Sequence, residues 1–156
     1  MTRCSKPVLS MLLWTWGGTV YFLLEVAYKT ATGHPEHISW AMLVLAIVLT
    51  IPVERCGDGL PWECPLWLQA LVCAALVTVV ELIAGLVLNV WLNMNVWNYS
   101  NIPLNLWGQI CLPFSLAWVV LCLAFIPIFD WLRWAVEGEE KPRYFIVTNA
   151  ARRGKY

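Results

Sequence analysis

The sequence predicts an all-α integral membrane fold: a four-helix transmembrane bundle with both termini on the cytoplasmic side. Three observations carry this prediction. The 156 residues are 60% hydrophobic and only 13% charged, whereas a soluble domain carries about 25% charged residues, and no soluble fold of this length buries so much apolar surface. The eleven tryptophans belong to a residue type enriched where helix ends meet lipid headgroups. The basic residues fall almost entirely on one side of four apolar stretches.

A spanning helix needs about 20 mostly apolar residues. The first stretch covers residues 8–28. The start, MTRCSKPVLSMLLW, is basic and then apolar, as a secretory signal is. The apolar region runs on through Tyr21 to Ala27 with no small-residue cleavage site after it, so this is the first membrane helix. The second stretch, 39–53, is short; it extends to Ile38 and Glu54, tilts, or thins the bilayer. The third, 65–93, is long enough to tilt, and the fourth covers 109–134. Pro113 lies near the start of the fourth, where proline is tolerated. Pro127 lies inside it, where the lost backbone donor predicts a kink.

Arg3 and Lys6 precede the first stretch, and Arg55 follows the second. Arg133, Lys141, Arg143, Arg152, Arg153 and Lys155 lie at or beyond the end of the fourth. Only Lys29 falls on the opposite side. Positive charge is retained on the cytoplasmic side, so both termini face inward and the loops Lys29–Ile38 and Met94–Gly108 face outward. Residues 1–135 then form the transmembrane domain, and 136–156 form a cytoplasmic charged tail. The expected location is the cell membrane.

Cysteine usage adds little chemistry. Cys73, Cys111 and Cys122 lie in apolar runs, where a thiol acts as a small hydrophobe. Cys56 and Cys64 bracket the loop CGDGLPWEC, but no CxxC and no nearby histidine completes a metal site. A cytosolic loop also disfavours a stable disulfide. His34 and His37 lie in the first outward loop. No P-loop, GxGxxG, HExxH or GxSxG occurs, so any ATPase is a separate chain. No catalytic residue, metal, cofactor or nucleic-acid partner is expected.

Glu81 is the lone charge in the apolar run Leu66–Trp91. A carboxylate at the bilayer centre costs about 2.5–3.5 kcal/mol on insertion scales, so it faces protein or a wet cavity. Thr78, Glu81, Gly85 and Asn89 share one helical stripe, and Gly85 admits close approach of a helix or ligand. Gly18, Tyr21 and Glu25 form a similar stripe in the first helix. Glu25 either snorkels to water or lines a cavity shared with Glu81. In the fourth helix Ser115 and Cys122 share a face, with Trp118 near them.

The loop MNVWNYSNIPLNLWG has no charge, carries Asn95, Asn98, Asn101 and Asn105, and holds Trp97, Tyr99 and Trp107. That composition predicts a loop folded onto the membrane surface or partly re-entrant, which requires burial in protein or a cavity to line. Trp97 and Trp107 also suit simple interfacial anchoring. Asn98-Tyr99-Ser100 matches a glycosylation acceptor.

The runs ELIAG from Glu81, WNYS from Trp97, NLWGQICL from Asn105 and SLAW from Ser115 resemble the ABC-transporter type IV, or CmpB-like, membrane family. That family includes the small animal proteins called transmembrane protein 229. Tyr21 with Glu25, Ser39-Trp40 and Val53-Glu54-Arg55 fit its earlier elements more loosely, and the resemblance covers about residues 14–130. The cysteine-flanked loop and Ala84, in place of a small hydroxyl residue, depart from the family pattern. The resemblance implies a permease-like protein and brings no substrate with it. Four spans are few for a permease, so a homodimer or a separate ATPase or partner subunit is expected beside the lipid bilayer itself.

Three readings follow. In the first, the chain is a transport-related, permease-like subunit with an outward-opening site. Glu81 and Glu25 carry that site, Asn89 and Asn105 supply hydrogen bonds, Gly85 gives close approach, and Trp97 and Tyr99 form the rim. Tyr21 and Ser115 are further lining candidates. The occupant is a cation, a proton-coupled solute or an amine-bearing small molecule. In the second reading the polar residues of a scaffold protein only hold helices together, Glu81→Gln is tolerated, and no cavity lies beside Glu81. In the third the chain is a membrane enzyme acting on lipid, with Tyr99 or Glu25 reaching Glu81 from an inward-folded loop.

Overall fold

The computed structural model describes residues 6–33, 38–60, 64–138 and 141–144. Four helices make up the body: α1 (Lys6–Ala31), α2 (Trp40–Gly59), α3 (Leu66–Gly85) and α4 (Leu112–Glu137). A π-helical segment, Leu86–Trp91, continues α3. Between it and α4 the chain forms a small antiparallel hairpin of β1 (Asn105–Leu106) and β2 (Ile110–Cys111). Among the described residues three helical segments, Pro7–Ala31, Leu66–Trp91 and Leu112–Glu137, are long and apolar enough to cross a membrane. The chain is therefore an integral membrane protein built mostly of helix.

The packing mixes a buried core that includes Ile126 and Phe129 with many exposed large apolar residues. Small residues lie inside: Ala46, Ala70, Cys73, Ala74 and Cys122 are almost wholly buried. Large apolar residues such as Leu23, Leu76, Val79, Ile83, Leu116 and Val120 face outward. Lipid solvates large side chains as well as a protein interior does, so helices associate through small residues that let backbones approach. Gly18 shows this most directly: a Cβ there would lie 2.6 Å from the Ile47 Cα, so α1 and α2 touch at the backbone. α1 packs chiefly on α2 and α3 on α4, with α2 bridging the pairs. α1 and α4 meet mainly through aromatic rings, Tyr21 on Trp118 at 4.7 Å and Trp16 against Phe125 and Phe129.

The start of the fourth helix differs from the sequence reading. Residues 109–111 are not helical. Gly108 turns with φ +69°, Ile110 and Cys111 pair with Leu106 and Asn105, and α4 begins at Leu112 with Pro113 in its first turn. The Gln109 side chain is committed elsewhere, as described below, which fixes the chain there in a hairpin. At its far end α4 runs continuously through Pro127 and stops at Gly138, whose left-handed φ of +67° suits a helix terminus. Cys4, His34, His37, the Cys56 side chain with its pairing to Cys64, and the tail beyond Tyr144 lie outside the described residues.

Candidate functional site

Glu81 lies on the inner face of α3 in line with the buried Cys73, Ala74 and Val77, and is itself 5% exposed. Its two oxygens are met from different elements. The Trp118 indole of α4 donates to Oε2 at 3.0 Å, and the Tyr99 hydroxyl of the loop donates to Oε1 at 3.3 Å. Burial first, and the facing Glu81 charge second, hold the Tyr99 hydroxyl well above the usual tyrosine range, so it stays a donor. A carboxylate oxygen has two acceptor sites, so each Glu81 oxygen retains capacity for a further donor.

The loop is brought over Glu81 by a second set of bonds. The π-helical turn, with Leu92 N–H donating to Val87 O at 2.9 Å, places Asn89 inward. Its amide donates to Trp97 O at 3.0 Å and to Gln109 Oε1 at 2.9 Å, and its Oδ1 accepts from Val96 N–H at 2.7 Å. The Trp97 indole in turn donates to Gln109 O at 2.9 Å. Gly85 provides the space for this arrangement. A Cβ there would come within 2.6 Å of Gln109 Oε1 and 3.2 Å of the Trp97 ring. Asn105 closes the outer turn, donating to Ile102 O at 2.7 Å and accepting from Gly108 N–H at 3.0 Å. Leu104 and Trp107 hold left-handed φ values of +57° and +52°, which bulky residues adopt only when the surroundings impose it.

Under this cap lies a cavity of about 200 Å³. Its walls include Tyr21, Glu25 and Lys29 of α1, Glu81 of α3, Trp97 and Tyr99 of the loop, and Phe114 and Trp118 of α4. The Lys29 ammonium pairs with Glu25 Oε1 at 2.8 Å. Glu25 Oε2 is buried with no hydrogen-bond partner among the described residues. A wider space of about 660 Å³ lies beyond, lined by Thr32, Asn95, Asn98 and Asn101 among others. The two spaces share Tyr28, Lys29, Trp97, Tyr99 and Phe114. Tyr99 and Phe114 stack at 4.8 Å and 18° across this shared neck. The geometry is a polar vestibule, an aromatic neck and a small chamber with two carboxylates.

Of the residues singled out in the sequence, Tyr21, Glu25, Glu81, Trp97 and Tyr99 line this one chamber. Gly85, Asn89 and Asn105 do not; they shape and hold the cap. Ser115 is half-buried and is not among the lining residues. Trp97 is 7% exposed and so is a packed wall rather than an interfacial anchor, whereas Trp107 at 69% is free to meet headgroups. Sequence reasoning missed Lys29, Phe114 and Trp118 as lining residues, and Gln109 as the clasp. The i,i+4 spacing of Glu25 and Lys29 was a usable signal.

A second polar cluster sits at the other end of the bundle. The Arg133 guanidinium donates to Glu54 of α2, to Ser10 Oγ of α1 at 2.9 Å and to Glu137 at 3.3 Å. The Trp14 indole also donates to Glu54 at 2.8 Å. Arg133, counted among the topogenic charges, is 4% exposed and is also a buried tie between three helices.

Among known proteins, the family described as "putative ABC-transporter type IV" matches residues 8–148. No curated protein and no solved structure matches the chain.

Proposed function

The chain belongs to the "putative ABC-transporter type IV" family, and from that membership we propose that it is a permease-like subunit whose chamber binds a cation or small polar solute. Family and apolar helices together make it a transport-related membrane protein. The observation that supports the finer reading is the cavity of about 200 Å³ beside Glu81. A void forfeits the contacts of its lining, so the packing reading expects no space beside Glu81. The reading takes α2 as a fourth span, places both termini in the cytoplasm of a cell-membrane protein, and turns the vestibule outward. Glu81 and Glu25 then carry the charge that selects a cation, Tyr21 and Trp118 form the floor, and Tyr99 with Phe114 forms the neck. Gly85, Asn89, Asn105 and Gln109 hold the cap. Four spans enclose a short path, so a second copy or a partner subunit completes it.

One observation favours the packing alternative: each Glu81 oxygen already has a protein donor. The two readings separate on Glu81→Gln. In liposomes under an imposed pH gradient, the wild type should carry at least one member of a panel of metal cations and amines, and the variant should lose that flux at an unchanged unfolding midpoint. Equal flux in both proteins, or none in either, contradicts the transport reading.

A further inference from the structure

Resting on the reading of the chamber as a cation site, we infer that its occupant is a small organic ammonium ion bearing at least one N–H, rather than a metal ion. The lining decides the chemistry. A hard metal cation takes about six to eight oxygen ligands, or octahedral oxygens with retained waters. The chamber offers two carboxylates and three tyrosines, with the Lys29 ammonium, among rings and aliphatic side chains, and no group of three or more metal-ligating His, Cys, Asp or Glu occurs among the described residues. The six aromatic residues Tyr21, Tyr28, Trp97, Tyr99, Phe114 and Trp118 suit the carbon body of an ammonium ion. Aromatic faces also attract the positive charge itself.

The unpaired acceptor specifies the N–H. Glu25 Oε1 is taken by Lys29, while Oε2 of Glu25, a residue of the chamber wall, is buried without a donor among the described residues. A buried acceptor left unmade is costly, and an N–H of the guest satisfies it. Lys29 neutralises Glu25, so Glu81 supplies the net charge that the guest balances. A quaternary ammonium satisfies the rings and the charge but not Glu25 Oε2. The size of the guest follows from the space. Cavities for drug-sized ligands are about 300–1,000 Å³, and one of about 150 Å³ holds benzene. A chamber of about 200 Å³ therefore takes a guest of a few carbon atoms. Free amines and the ethanolamine headgroup of a phospholipid share this chemistry.

Calorimetric titration of the full chain in nanodiscs of phosphatidylcholine, which has no N–H headgroup, tests the assignment. Ethylammonium and ethanolamine should bind, and tetramethylammonium should bind about tenfold or more weakly, the scale of one lost hydrogen bond to a charged group. Glu25→Gln should weaken every cation, because Lys29 is no longer balanced by Glu25, and should also shrink the preference for an N–H guest, a readout that a merely structural role does not move. The selectivity of the wild type stands on its own if the variant fails to fold. Adding phosphatidylethanolamine to the disc separates the sources. Weakened binding of the free amine identifies the headgroup, unchanged binding identifies a solute, and both sustain the assignment. Equal binding of tetramethylammonium, or binding of sodium or potassium in place of the amines, overturns it and leaves the carboxylate site standing. No binding by any cation overturns both.

Discussion

The two ends of this bundle each bury carboxylates, and they do so in opposite ways. At one end Glu54 and Glu137 share the Arg133 guanidinium, Arg55 also lies 3.7 Å from Glu54, and Ser10 and Trp14 add bonds from α1. Every group named there comes from the helices themselves. At the loop end, among the described residues, Glu81 receives neutral donors, Trp118 and Tyr99, and faces a cavity whose wall also holds the Glu25–Lys29 pair. A buried charge matched by a guanidinium is a tie whose removal leaves an uncompensated ion. On our proposal, a buried charge beside neutral rings and a space takes its counter-charge from outside. The lesson is that burial of a charge alone does not mark a site; the identity of its partner does.

The comparison is broken most strongly at the tie. Arg133→Met should destabilise the protein by about 3–5 kcal/mol, because Glu54 and Glu137 lose the guanidinium they share while staying buried. Denaturant unfolding in detergent measures this, and a change under about 1 kcal/mol would show that the cluster is not structural. Next is the cap. Asn89→Ala removes three bonds and strands Val96 N–H and Trp97 O, so a loss of about 1–3 kcal/mol is expected, together with faster hydrogen exchange at Val96. Protection unchanged at that amide would remove Asn89 from the account.

Glu81→Gln should cost less than about 1 kcal/mol in stability. The amide oxygen still accepts from Trp118, and its N–H group donates to the Tyr99 hydroxyl, which accepts as well as donates. Cation binding should nonetheless be lost. The smallest effect belongs outside the membrane. Tyr144 donates to Asp130, and burial, that bond and the Asp130 charge hold its hydroxyl well above the usual range. The folded state then keeps a proton that the unfolded chain releases above a pH of about 10, so stability falls as pH rises through that point. Tyr144→Phe should flatten that decline. An identical pH profile in the variant would dissociate Tyr144 from it.

Much of the site was legible because the bilayer makes polar residues conspicuous. Glu81 stood out as a lone charge, and the charge-free loop with Trp97 and Tyr99 read as folded onto the membrane surface or partly re-entrant. Glu25 and Tyr21 shared a stripe whose direction only packing reveals. What the sequence hid depends on contacts between distant elements. Trp118 meets Glu81 across a separation of 37 residues, and nothing local marks an indole as its donor. Asn89 and Asn105 looked like ligand groups because asparagine serves loops and ligands alike, and the path of the loop commits them to backbone. Arg133 fitted the topogenic pattern as well as a surface arginine would. Its i,i+4 relation to Glu137 was visible, but Glu54 lies 79 residues away. Residues 109–111 read as helix because Ile110 and Cys111 are apolar, while the Gln109 clasp to Asn89 is what holds them extended.

The central claim is that the loop-end carboxylate serves a guest while the Arg133 cluster serves the fold. The most direct measurement takes Glu81→Gln and wild type from one preparation and records both the unfolding midpoint and the affinity for ethylammonium. The account predicts matching midpoints and an affinity at least about tenfold weaker in the variant, the scale of a lost charged partner. Equal affinity at matching midpoints would contradict it and make Glu81 a packing residue.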